Sequence, residues 1–149
     1  MKIIALQGKS NIGKTTVITK LYHKLCSLYK RKSYTPNNQD GDFTAIFEID
    51  THIIGITSVG DKEDDLKKSF EIFEVNNCEL CVVCCHKKRE DNGSKNFIEN
   101  RATLFCDEII WYTKAYIERY NTKYSMCLEI DKINDVQAEI LLNEIILQI

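Results

Sequence analysis

The chain has 149 residues, 44% of them hydrophobic and 28% charged, with six glycines and a single proline. Such a composition excludes disordered, collagen-like and mucin-like classes, and the length fits one domain, residues 1–149, with a core of its own. Twenty basic side chains against 22 acidic ones leave a formal charge of −2, so no global field gathers nucleic acid or an anionic membrane.

Lys2 to Leu6 is an apolar run that stops at Gln7 and Gly8, the pattern of a buried parallel strand meeting a turn. It is too short for a signal peptide or a membrane span, and a cytoplasmic protein is expected. After Gly13 the period changes: Val17, Ile18, Leu21, Leu25 and Leu28 recur at three- and four-residue spacing, which predicts a helix from Lys14 to about Tyr29. Lys30 to Asp42 is polar and carries the proline, so it reads as a loop. Phe43 to Ile49 and His52 to Thr57 are β-rich runs separated by Asp50 and Thr51; they predict a hairpin, and with it one antiparallel strand.

Gly60 ends that pair. Asp61 to Glu74 places Leu66, Phe70 and Phe73 at helical spacing behind an acidic start, where the helix dipole favours negative charge. Leu80 to Cys85 reads as a central strand and Lys87 to Lys95 as a charged loop. Ser94 reads as the cap of a helix that uses Phe97, Arg101, Leu104 and Phe105. Glu108 to Tyr112 has the look of another strand, Tyr116 to Tyr120 fits neither period, and Asp135 to Ile149 reads as an amphipathic helix capped by Asp135. The order β-α-ββ-α-β-α-β-α predicts an α/β fold: a three-layer α/β/α sandwich around a mostly parallel sheet.

Seven cysteines, an odd number set within apolar stretches, suit free thiols in a reducing compartment. The run from Cys78 to His86 has metal-like spacing. On a strand, however, Cys78 and Cys81 would face opposite sides, as would Cys81 and Cys84, so they would act as small buried hydrophobes.

Chemistry concentrates in Gly8-Lys9-Ser10-Asn11-Ile12-Gly13-Lys14-Thr15, which satisfies G-x-x-x-x-G-K-[ST] between an apolar strand and a helix. Glycines let consecutive N–H groups turn inward around phosphate oxygens, and the helix N-terminus adds its positive dipole end. The segment resembles the Walker A motif of the P-loop NTPase superfamily. That resemblance implies binding of ATP and Mg²⁺ through Gly8 to Thr16, with Lys14 on the β- and γ-phosphates, the Thr15 hydroxyl on Mg²⁺ and Thr16 near the α-phosphate. Lys9 to Thr16 is also similar to the K-G-G-x-G-K-[ST]-T motif of the ParA, MinD and nitrogenase iron protein group, although Ser10 and Asn11 replace both glycines. In that group the lysine at the place of Lys9 reaches the partner's nucleotide, which implies a nucleotide-dependent homodimer.

A carboxylate is expected to join Thr15 on the metal. Asp50 and Asp61 are the candidates, and Asp61 is preferred, with Ser58 nearby, because the second hairpin strand leads into a crossover helix and should be the parallel one. The chain also resembles nucleotide kinases, whose basic lid neutralises the phosphoryl group in transfer. His86, Lys87, Lys88, Arg89, Lys95 and Arg101 are available for that task, and Arg89 and Arg101 suit it best. Trp111 and Tyr112 are placed to flank a nucleobase, and the absence of an NKxD sequence favours ATP over GTP. Two activities follow: a regulatory or partner-coupled ATPase, or a small kinase whose Lys30 to Asp42 loop holds a phosphoryl acceptor.

Overall fold

The computed structural model describes residues 1–9, 11–37, 41–87, 93–115 and 123–149, the backbone alone for 123–128. Among them the chain forms an α/β fold with six strands in one mixed sheet and four helices. The strands are β1 (Lys2–Gly8), β2 (Lys30–Asn37), β3 (Asp42–Ile49), β4 (His52–Thr57), β5 (Leu80–His86) and β6 (Glu108–Thr113). The helices are α1 (Lys14–Leu28), α2 (Glu63–Val75), α3 (Ser94–Phe105) and α4 (Lys123–Gln148).

The sheet order is β2-β3-β4-β5-β1-β6. β4, β5, β1 and β6 are parallel, β3 is antiparallel to both its neighbours, and so β3 alone runs against the rest. β1 and β5 are buried along nearly their whole length, which explains why both are continuous apolar runs rather than alternating ones. Two apolar clusters flank the sheet. One joins Val17, Ile18, Leu21 and Leu25 of α1 and Ala138, Leu141 and Ile145 of α4 to Ile4, Leu6, Val82 and Cys84. The other joins Leu66, Phe70 and Phe73 of α2 and Ile98 of α3 to Ile3, Ala5, Cys81 and Val83. Alternate residues of the same strand thus serve opposite faces.

Several expectations need correction. Lys30–Asn37 is an edge strand, not a loop. It is mostly exposed and pairs only with β3, so charged residues and Pro36 stand where a core strand would need an apolar face and a full ladder of donors. Its anchor is Tyr34, stacked on Phe43 with ring centroids 5.5 Å apart. α2 begins at Glu63, not Asp61, which leaves Asp61 in the connection after β4. Ser94 does not cap α3: it is the first helical residue, and its Oγ accepts from the His86 N–H instead. The buried face of α3 is Ser94, Ile98 and Ala102, whereas Leu104 and Phe105 are exposed. Leu28 is exposed at the end of α1. Asp135 lies inside α4, which starts much earlier, and it pairs with Lys24 of α1 at 3.6 Å. The unassigned stretch Tyr116 to Tyr120 lies outside the described residues.

Candidate functional site

β1, β4 and β5 end at the same edge of the sheet because they are parallel, and β3, running the other way, begins there. A cavity of about 320 Å³ opens at that edge, lined by Gly13, Lys14, Thr15, Asp42, Ser58 and Asp61 among others. The lining groups arrive from the first turn of α1, from the start of β3 and from the loops that follow the parallel strands. This is where open α/β sheets hold ligands.

The turn from β1 into α1 is made by two residues in the left-handed region, Asn11 at φ 58° and Gly13 at φ 88°. Asparagine tolerates that region and glycine occupies it without strain. Gly13 is the N-cap of α1 and provides no side-chain cap, and the first-turn residues Lys14 and Thr15 line the cavity, so the helix N-terminus there offers its orphan N–H groups to an anion. Space at Gly8 is tight: a Cβ there would come within 2.6 Å of Ile12 Cδ1, the movable end of that side chain, and 3.0 Å of Lys114 Cβ.

Lys14 is only 6% exposed. Its ammonium donates to the carbonyls of Gly8 (3.2 Å) and Lys9 (2.8 Å) and lies 3.9 Å from Asp61 Oδ1. Asp61 is largely exposed, so this ion pair is weak as a stabilising contact and more telling as placement. On the other side, Asp42 Oδ1 accepts from Ser58 Oγ at 2.8 Å and stands 3.5 Å from Thr15 Oγ1. Two carboxylates and two hydroxyls therefore line one cavity with Lys14, a set of hard oxygen donors that fits Mg²⁺.

Beneath this edge, Thr44, Thr57 and Ser69 join their hydroxyls at 2.9–3.1 Å in a buried cluster, and Thr57 Oγ1 accepts from the Val59 N–H. The cluster fixes the start of the β4–α2 connection. Gly60 then passes so close to β5 that a Cβ would meet Cys84 backbone atoms at 2.6 Å. The Asp61 carboxylate is thus aimed by a connection held at both ends.

Of the residues expected at the site, Gly8, Gly13, Lys14, Thr15, Ser58 and Asp61 converge. Asn11 lines the same cavity, Lys9 is exposed beside it, and Ile12 and Thr16 line a second cavity next door. Ser10, Lys88 and Arg89 lie outside the described residues. Asp50 sits in the β3–β4 turn at the opposite edge, so it cannot share a ligand with Lys14.

Arg101 is the clearest correction. It lies at that opposite edge, 10% exposed, paired with Glu74 at 2.6 Å and near Asp107 at 3.6 Å. Asp107 in turn holds the Met1 ammonium at 2.8 Å. The guanidinium is also covered by the rings of Phe70 and Phe105, 4.6 and 4.5 Å away. Its role is structural. Lys95 does reach the ligand edge, donating to Gln7 Oε1 at 3.0 Å beneath a cation–π contact with Trp111.

Trp111 and Tyr112 do not form a pair of base-flanking rings. They point to opposite faces of β6, Trp111 into the α2–α3 cluster and Tyr112 into the α1–α4 cluster, where its hydroxyl donates to Glu144. The cysteines are split similarly, with one amendment: Cys81 and Cys84 face opposite sides as expected, but Cys78 precedes β5 and packs on the same side as Cys81. Burial pushes the Cys78 and Cys85 thiols up to about 12, so they are inert at neutral pH. No group of three or more His, Cys, Asp or Glu that could hold a metal occurs among the described residues.

Sequence reasoning missed Asp42, Lys114 and Asn134. A signal existed for Asp42, because the first residue of the one antiparallel strand must lie where its parallel neighbours end. Lys114, just past the end of β6, is placed at the edge by the same logic. Its stem is nearly fully buried, its ammonium donates to the Ala115 carbonyl, and desolvation holds its pKa below the usual lysine value. Nothing in the sequence marks Asn134 as buried.

No family model matches the chain, and neither does any curated protein or solved structure. No helix among the described residues is long and apolar enough to cross a membrane.

Proposed function

We propose that this protein is a P-loop NTPase with a three-layer α/β/α fold that binds Mg-ATP at the Gly8–Thr16 loop and hydrolyses it, as a regulatory or partner-coupled ATPase. The observation that carries the reading is the placement of buried Lys14 in the first turn of a helix without a side-chain cap, in one cavity with Asp61 and with the hydrogen-bonded Thr15–Asp42–Ser58 group. Lysine brings positive charge and the first-turn N–H groups bring donors to the place where a polyphosphate would sit.

Thr15 and Asp42 would hold the metal, with Asp61 as a second carboxylate beyond Lys14. Bound there, Mg²⁺ supplies charge neutralisation to the β- and γ-phosphates. The protein's own contribution is to exchange the Lys14 bonds to the Gly8 and Lys9 carbonyls for bonds to phosphate oxygens, and to keep Asp61 on a short connection that senses where Lys14 goes. Such a connection suits a switch whose partner reads the β4–α2 segment. Arg101, one of the two arginines that a kinase would use on the transferring group, belongs to the opposite edge, which weakens the kinase alternative.

The test is ³¹P NMR of purified protein with Mg-ATP, alone and with pooled nucleosides and nucleoside monophosphates. Free phosphate in both samples, lost in Lys14→Ala and strongly reduced in Asp42→Asn and Asp61→Asn, is the expected result. A new phosphorylated acceptor replaces the ATPase reading with the kinase, and no turnover under any condition removes both.

A further inference from the structure

α4 is apolar on two sides. It packs into the core through Ala138, Leu141, Leu142 and Ile145. On the opposite side stand Val136, Ile140 and Leu147, which are 59%, 44% and 78% exposed. With half-buried Ile133 before them and exposed Asn143 between the last two, they fall at alternating three- and four-residue steps. That alternation is the a/d seam of a coiled coil, a stripe of period 3.5 shaped to meet another helix. A surface helix ordinarily turns a polar face to solvent, and one that is apolar all round is covered all round. Glu129, one step further back, ends the stripe.

The elements on either side frame the seam without blocking it. Towards α1, Glu139 is held by Lys24 at 2.9 Å. Towards β6, Glu144 accepts from the Tyr112 hydroxyl. Both carboxylates beside the seam thus have donors in their own chain. The ion pairs Lys20–Asp131 and Lys24–Asp135 show α1 and α4 advancing side by side. Leu28, one turn beyond Lys24 and 60% exposed, therefore stands level with the second half of the seam. Ile146, two turns beyond Glu139 on the same side, is exposed there as well.

We propose that this face binds a second copy of the chain, α4 against α4 about a two-fold axis, with the helices parallel and in register. Each seam position then meets its own counterpart. Val136, Ile140 and Leu147 pack on themselves, and two Asn143 carboxamides bond to each other, since each carries a donor and an acceptor. A lone asparagine in such a seam fixes register in this way. An antiparallel pairing would set Val136 against Leu147 and leave Asn143 facing Ile140, a covered amide without a partner. In the parallel pair Glu139 approaches Glu144 of the other copy, and Lys24 and Tyr112 offset that repulsion. Two heptads are too few for an isolated coiled coil. Here the helix is already formed on its domain, so association bears no nucleation cost. The seam is small for a permanent interface, which sets the expected affinity in the micromolar range. No residue of the Lys14 cavity takes part, so the pairing is independent of the nucleotide-binding reading.

The experiment is sedimentation equilibrium of the full chain from low to high micromolar concentration, with and without Mg-ATP. The parent should show the same monomer–dimer equilibrium in both. Val136→Lys and Val136→Glu, at an exposed position where circular dichroism should report an unchanged fold, should each weaken dimerisation at least about 100-fold, because like charges meet across the two-fold. An equimolar mixture of the two should dimerise again, since position 136 then faces its opposite charge. A parent that stays monomeric overturns the proposal and leaves the face to a different partner. A dimer that forms only with Mg-ATP, or that both charged variants retain, overturns the assignment to this face. Variants that fail alone and fail to recover when mixed overturn the parallel, in-register pairing.

Discussion

Replacing Arg101 by Met separates a structural arginine from a catalytic one. The substitution keeps an unbranched apolar stem but removes the charged guanidinium. It deletes the pair with Glu74, which is half-exposed on the carboxylate side and so contributes at most about 1 kcal/mol. It also removes cation–π contacts with Phe70 and Phe105, each about 0.5–1 kcal/mol. The larger cost falls on Asp107, whose side chain is 3% exposed: it would keep only the Met1 ammonium at 2.8 Å, and thinning the partners of a buried carboxylate is expensive. Together these give about 3 kcal/mol, or a fall in Tm of roughly 6–12 °C for a domain of this size. Thermal unfolding followed by circular dichroism measures the shift, and Mg-ATP hydrolysis at 15 °C, where the variant stays folded, should match the parent. A Tm within 2 °C of the parent, or hydrolysis lost while the fold is intact, would refute the reasoning.

Gly60→Ala should act in the opposite sense, on the site more than on the fold. Its Cβ would stand 2.6 Å from Cys84 backbone atoms where ordinary contact begins at 3.4 Å, so the connection bearing Asp61 must retreat by about 0.8 Å. Displacement on that scale lowers kcat/KM by up to about 100-fold, read by steady-state hydrolysis, with about 1–3 kcal/mol of overpacking seen in chemical denaturation. Thr57→Val removes the hydroxyl at the centre of the buried cluster and should cost about 1–3 kcal/mol by the same denaturation assay. Tyr112→Phe gives a pH signature. The Tyr112 hydroxyl, and then Gln148, hold the Glu144 carboxyl below its usual range, so the bond stabilises the fold above about pH 4.5 and is lost as pH falls through the depressed value. Tyr112 itself is pushed up to about 12, first by its bond to Glu144, so its contribution is present below pH 10 and disappears as pH rises through about 12. Stability curves of parent and variant should therefore differ by about 1 kcal/mol near neutrality and converge at both extremes.

What could be read in the sequence was whatever repeats with a period or obeys local turn chemistry. β1, α1, the β3–β4 hairpin and β5 follow from Ile3-Ile4-Ala5-Leu6, the Val17 to Leu25 spacing, and runs rich in branched residues. The glycine loop and Lys14 were legible because their side-chain requirements are local. β2 was not, since an edge strand has no apolar face to announce it and its pairing with β3 rests on the ladder, the Tyr34–Phe43 stack, the Asn37–Thr44 bond and exposed ion pairs of Lys30 and Lys32 with Glu48. Arg101 misled because a charged residue seven positions beyond Ser94 says nothing about which end of a helix faces the ligand edge; α3 runs back along the sheet and carries it to the far side. Asn134 was illegible for a different reason. Burial of a polar residue inside a long helix depends on what packs across it, and that partner, the loop at Gly13, is more than a hundred residues away.

The single reversed strand gives the two carboxylates of the site unequal footing. Asp61 follows a strand that is hydrogen-bonded on both flanks, whereas Asp42 opens β3, whose outer neighbour is the exposed margin of the sheet. Backbone amides at such a margin exchange with solvent sooner than those of inner strands, and each excursion of β2 loosens the ground beneath Asp42 while Lys14 and Asp61 keep their positions. Under the proposed function, the Lys14 loop and the Asp42 oxygen beside it are therefore expected to differ in lifetime of assembly. A molecule that pairs along β2 would lengthen only the second, from a surface at the margin of the sheet apart from Lys14.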